Sequence, residues 1–183
     1  CSFHSDPRND CGWYPAPHPL ISELSVHFEQ FTVKARTAIA DAQRVAGRLG
    51  NPEIRPGHLL MALMNQEGGV VASIIRTIGL KPEQAMEKAL EVVDGYSKVR
   101  GGAKAGMSRG MDKVFEIAKV ESKNLGDSHI SCEVLFLSIA KGTHKAGQTL
   151  KGYGLTPERI KEAIETVRGG QKVRGEDPES SYE

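Results

Sequence analysis

The chain has 183 residues, 39% of them apolar, which is enough for one ordinary domain with a real core. Its formal net charge of +1 gives no overall field for nucleic acid or an anionic membrane. No apolar run is long enough for a transmembrane helix, and cysteines only at positions 1, 11 and 132 suit a reducing cytoplasm better than a disulfide framework, so a cytoplasmic location is expected.

Residues 1–27 are rich in proline and lack helical or strand periodicity. They are expected to be a disordered leader, or a remnant foreign to the domain, since the first methionine is Met61. From Phe28 the pattern turns helical. Phe28, Phe31, Ala35, Ala38, Ile39, Ala42, Ala46 and Leu49 recur at spacings of three and four, the buried stripe of a long first helix. Asn51-Pro52 breaks it, and a second helix starts at Pro56, a residue tolerated in the first helical turn. A third spans Val70 to Ile78 and closes at Gly79, and Lys81-Pro82-Glu83 opens a fourth that ends near Gly95.

The same order then returns. Met111, Val114, Phe115, Ala118 and Leu125 form another stripe, ended by Gly126-Asp127. Ser131 has the chemistry of an N-cap for the next helix, a short helix runs from Gly147 to Tyr153, and Thr156-Pro157-Glu158 opens the last. Thr77 to Glu83 aligns with Gly152 to Glu158 at an offset of 75, while Ile54 with Ile130 and Leu59 with Leu135 align at 76. Two copies of a four-helix unit, packed as one pseudo-twofold all-α domain of eight helices, are therefore expected. Repeat one covers 28–94 and repeat two 111–170. The glycine- and lysine-rich connector 95–110 reads as a solvated linker, and 171–183 as the start of a linker to a following module.

Catalytic signatures are missing. The sequence has no P-loop, H-E-x-x-H, C-x-x-C or G-x-S-x-G pattern, so no enzymatic activity and no cofactor are expected of these residues. Cys1, His4, Cys11 and His18 fit no standard zinc spacing, so no metal is expected either. His58, at the head of an apolar helix, reads as a capping or core histidine, and Cys132 as a small structural cysteine. Ile117 and Val120 fall off the main stripe of their helix. They are either buried by the other repeat or part of an exposed apolar groove. Asp127 reads as a turn residue, and Glu133 as an acid favoured in a first helical turn.

Several segments together resemble the duplicated Clp N domain at the front of AAA+ unfoldases and disaggregases. They are Phe28-Glu29-Gln30-Phe31-Thr32-Val33-Lys34-Ala35, Pro56-Gly57-His58-Leu59-Leu60-Met61-Ala62-Leu63, Asn65-Gln66-Glu67-Gly68-Gly69, Gly126 to Glu133 and Val167-Arg168-Gly169-Gly170. The Asn-Gln-Glu-Gly-Gly loop and the closing Arg-Gly-Gly look like the ClpB branch. The resemblance implies a tethered domain that engages unfolded or aggregated polypeptide. ATP and magnesium would belong to ATPase modules of a hexameric parent, and the isolated domain would be monomeric, with neither nucleic acid nor membrane as partner. It places polar site residues on Thr32, Asp127 and Glu133, and an apolar groove near Phe115, Ile117 and Val134, with the two acids as its rim. The alternative is an adaptor-docking N domain of a ClpC- or ClpA-type, protease-linked unfoldase.

Overall fold

The computed structural model describes residues 27–100 and 104–176. Nearly all of the expected leader, the four leader residues weighed as zinc ligands and the chain beyond 176 lie outside the described residues. Eight α-helices account for most of the rest: α1 (Val33–Arg48), α2 (Pro56–Met64), α3 (Val70–Thr77), α4 (Pro82–Asp94), α5 (Arg109–Leu125), α6 (Cys132–Lys141), α7 (Lys145–Tyr153) and α8 (Pro157–Arg168). None of them is long and apolar enough to cross a membrane.

The all-α duplicated architecture expected from the sequence is the one observed. Two buried central helices, α2 and α6, touch each other and are wrapped by the remaining six. They can sit at the centre because both are apolar on nearly every face: Leu59, Leu60 and Leu63 of α2, and Leu135, Phe136, Leu137 and Ile139 of α6, have at most 1% of their surface exposed. The packing partners exchange under the repeat. Helix α3 lies on α8 as α7 lies on α4, and α1 meets α6 as α5 meets α2.

Two short backbone pairings carry the same symmetry. Strand β1 (Glu53–Ile54) runs parallel to β2 (Gly106–Met107), with Ile54 opposite Met107. Phe31 forms an isolated parallel bridge with Ile130. An offset of 76 converts one pair into the other, so each repeat lends the lead-in of its long helix to the lead-in of its partner's central helix. The cross-chain bonds match as well: Thr32 N–H donates to the Ile130 carbonyl at 3.0 Å, and Ser108 N–H to the Ile54 carbonyl at 3.1 Å.

This pairing corrects the start of the first helix. Phe28–Gln30 is one turn of 3-10 helix and Phe31 is extended, because its backbone is committed to Ile130. The Phe31 ring is nevertheless core, 1% exposed and edge-on to Phe115 at 5.4 Å between centroids. Helix α7 begins two residues before the expected Gly147, where the His144 ring accepts the Gly147 N–H at 3.2 Å. Nor is the connector free along its length: Val99 N–H donates to the Gly50 carbonyl at 2.8 Å, Ala105 is buried, and β2 is paired.

His58 shows why α2 starts where it does. Its ring is fully buried. Nδ1 accepts the Arg55 N–H at 2.9 Å, which leaves Nε2–H to donate to Asn51 Oδ1 at 3.0 Å. Burial, reinforced by the Arg55 charge, lowers its pKa from the usual 6.5 to about 4. The unfolded chain therefore takes up a proton near pH 6.5 that the folded chain refuses until about pH 4. The histidine's contribution is complete above pH 6.5 and is lost as pH falls towards 4. Urea unfolding is expected to show about 2 kcal/mol less stability at about pH 5 than at about pH 7.5, and His58→Gln should flatten that difference. An unchanged pH slope in the variant would assign the acid sensitivity to other groups.

Candidate functional site

Of the three polar site residues, Asp127 and Glu133 are brought together on one arginine and Thr32 is tied to the segment between them through Ile130; all three side chains face inward. Thr32 is the N-cap of α1: its Oγ1 accepts the Ala35 N–H at 3.2 Å, and no part of the residue is exposed. Ser108, 76 residues later, does the same for α5, accepting the Met111 N–H at 3.3 Å. Asp127 follows Gly126, whose φ of +72° ends α5 in the left-handed conformation that glycine tolerates. Glu133 stands in the first turn of α6, where the helix dipole favours a carboxylate.

Between the two acids lies Arg168, from the last turn of α8. Its Nη1 contacts both oxygens of Asp127 at 3.0 Å. Its Nε and Nη2 reach Glu133 Oε1 at 2.9 and 2.7 Å, and Nη2 also donates to Ser131 Oγ at 3.3 Å. Ser131 holds the N-cap position of α6, but its hydroxyl serves the arginine instead of closing the helix end. The side chain of Arg168 is 4% exposed and those of both acids 0%. Burial alone would push the arginine pKa down. Glu133 first, and then Asp127, outweigh that and hold it above its ordinary value. The expected acidic rim thus does not reach the surface. Its carboxylates are turned onto a guanidinium, and Glu133 Oε2 is buried with no hydrogen-bond partner among the described residues.

The apolar trio separates in the same way. Phe115 (6% exposed) and Val134 (0%) belong to the core. Ile117 alone reaches the surface. It is half-buried in a groove of about 470 Å³ between α5 and the α6–α7 turn, floored by Val114 and bounded by Lys113, Glu116, Gly142 and His144. Val120, one turn further along α5, is 56% exposed. Ile117 is thus partly buried at the groove, and Val120 is exposed outside its lining.

Arg168 is the residue that the sequence reading passed over, quoting it only within a motif. The signal was present: Ile160, Ile164 and Arg168 are spaced by four, which puts the arginine on the buried stripe of α8, where a charge needs a buried partner. Cys132 is buried, with its thiol donating to Gln66 Oε1 at 3.3 Å. No group of three or more His, Cys, Asp or Glu able to hold a metal occurs among the described residues.

A duplicated eight-helix bundle, its polar site residues turned inward, defines the fold class, and the comparisons give its family. Residues 30–153 match the Clp repeat (R) N-terminal domain family. Over 154 residues the chain is 38% identical to the chaperone protein ClpB of Corynebacterium efficiens, an alignment that covers 83% of this chain and 18% of that protein. The N-terminal domain of Hsp104 from Candida albicans has the same fold, with a TM-score of 0.73 at 17% identity over 81% of this chain and 98% of that one. A ClpV N-domain solved in complex with VipB peptide superposes with a TM-score of 0.62 at 15% identity, over 78% and 89% of the two chains. The chain belongs to the Clp repeat N-terminal domain family and is an N-terminal domain of the ClpB chaperone type. It spans about a fifth of the length of the ClpB relative it matches.

The repeat equivalence of the two caps is testable. Thr32→Val and Ser108→Ala should each cost about 1 kcal/mol in urea unfolding, with Thr32→Ser close to neutral. A stable Thr32→Val variant would give Thr32 a role other than capping.

Proposed function

We propose that this domain gathers unfolded or aggregated polypeptide for an ATP-driven disaggregase of which it forms the N-terminal part. The observation that carries the proposal is the partly exposed Ile117, held over Val114 in an open groove beside the exposed Val120. Adjacent apolar side chains on one helix face, one of them set in a groove, offer surface for a contact. The groove is shallow, so it suits single Leu, Val or Phe side chains presented by an unfolded chain. Little is gained beyond the entropy lost on association, and binding is weak and fast. Such binding lets a substrate be handed on.

In this reading Ile117 touches the polypeptide, and the other five residues set the surface on which it does so. Phe115 and Val134 seat α5 against α6 from below. Thr32, Asp127 and Glu133 fix the start of α1, the end of α5 and the start of α6. Hydrolysis of ATP, with its magnesium, is assigned to modules beyond these residues, and hexamer formation likewise. The ClpV N-domain solved with VipB peptide supports peptide binding by this fold and keeps docking of a dedicated partner as the second reading.

Titration of labelled unfolded casein, followed by fluorescence anisotropy, tests the proposal. Weak binding by the wild-type domain and a loss of about fivefold or more in Ile117→Ser are expected, the size of a partly buried isoleucine contact. Binding undiminished in Ile117→Ser would place the site on another face. Failure to bind casein, together with tight one-to-one capture of a single folded protein, would favour the docking reading.

A further inference from the structure

The groove around Ile117 has a charge of its own, and its sign is opposite to the acidic rim expected from the sequence. Arg109, Lys113 and Lys141 line it, with Glu116 the one carboxylate among them. A second depression of about 390 Å³ continues from it across Arg109, Gly110 and His144, and adds Arg55 and Lys145 against Glu53. Across the two, five cations face two carboxylates. Some of these charges are already matched: Glu53 accepts from Arg55 at 2.9 Å, and Lys141 reaches Glu121 at 2.5 Å. Arg109, Lys113 and Lys145 are exposed and have no ion-pair partner among the described residues, so three cations along the two adjoining depressions remain available. The N-termini of α2, α5 and α7 open onto the same depression at Pro56, Arg109 and Lys145, and their dipoles add to its positive potential.

We infer that the Ile117 groove selects polypeptide segments in which an apolar side chain is flanked by Asp or Glu. The inference rests on the polypeptide-binding reading above and specifies the class of segment it takes. Charge complementarity supports it: the apolar side chain sits over Ile117 and Val114, while neighbouring carboxylates reach Arg109, Lys113 and Lys145. A nucleic acid would find the same cations but no stacking platform. Tyr96, the aromatic of the adjoining depression, already packs against the Arg55 guanidinium and the His58 ring, each at 5.2 Å, and its hydroxyl accepts the Gly57 N–H. Glu116, standing beside Ile117, repels an acid placed directly over it, so the flanking carboxylates are expected towards the α5 N-terminus.

Two labelled peptides with one apolar centre, one flanked by Glu and the other by Lys, test this against the wild-type domain, Arg109→Glu/Lys113→Glu, Ile117→Ser and a Lys161→Glu control on α8. The Glu-flanked peptide is expected to bind on the order of tenfold tighter at low salt, the scale of a few exposed ion pairs. The preference should shrink at about 0.5 M salt, invert in Arg109→Glu/Lys113→Glu and survive in Lys161→Glu. Equal binding of both peptides, lost in Ile117→Ser, would overturn the charge selectivity while leaving the groove in place. Binding of neither peptide would overturn both. A single-stranded oligonucleotide that binds more tightly than either peptide and loses affinity in Arg109→Glu/Lys113→Glu would reassign the patch to nucleic acid. Circular dichroism melts of each variant confirm that any loss reflects the surface and not the fold.

Discussion

The buried guanidinium of Arg168 is the contact on which the second half of the domain depends. It joins the last turn of α8 to the end of α5 through Asp127 and to the start of α6 through Glu133 and Ser131. Asp127 then reaches outward with its remaining capacity: Oδ1 accepts the Val173 N–H at 2.9 Å. This draws the segment after α8 back over the domain, where Glu176 pairs with Arg36 and its carbonyl accepts the Val33 N–H at 2.8 Å. One ionic cluster thus ties together the corners of three helices and the lead-in of a fourth. Removing Arg168 would leave two desolvated carboxylates without a countercharge.

Repeat one closes the same corner with neutral groups. Asn51 is the counterpart of Asp127 at the 76-residue offset, and Ser97 that of Val173. Asn51 donates to the Ser97 carbonyl at 2.9 Å and accepts from the His58 ring, just as Asp127 accepts from Val173 and from Arg168. Gly50 and Gly126, again 76 apart, both take positive φ values of 71° and 72° so that the chain can turn after the long helix. The polar residues at these two corners are locks of a duplicated fold, one neutral and one ionic. None of the lock residues lines the groove around Ile117, which is the surface we propose for contact.

Much of the fold was legible because helical periodicity and glycine or proline punctuation are local signals. The stripe through Ala35, Ala38, Ile39, Ala42 and Ala46 is buried as its spacing required, and the 75- to 76-residue offset gave the duplication. Non-local pairing was not legible. Phe31 lies on the continuation of the α1 stripe yet is extended, because its backbone bonds to Ile130, 99 residues away. The site was legible in residue type but not in orientation. Thr32, Asp127 and Glu133 look like surface polar residues until Arg168 is placed between the two acids. Phe115 lies on the buried stripe, and only the resemblance put it and Val134 at a groove; both are core, with the Phe31 ring edge-on to Phe115. Ile117 was the exception, since its displacement from the stripe could be computed from the helical angle alone.

The central claim is that Asp127 and Glu133 are closed onto Arg168 and hold the fold, with no acidic rim offered to solvent. A double-mutant cycle on Glu133→Gln and Arg168→Met, read by urea unfolding, tests it most directly. The account predicts that Arg168→Met costs about 3 kcal/mol by stranding two buried carboxylates, that Glu133→Gln costs less because Arg168 keeps Asp127, and that the double variant loses at least about 1 kcal/mol less than the sum, because only Asp127 is then stranded. Additive losses under about 0.5 kcal/mol each, together with weakened casein binding by Glu133→Gln, would contradict it and return the acids to the binding surface.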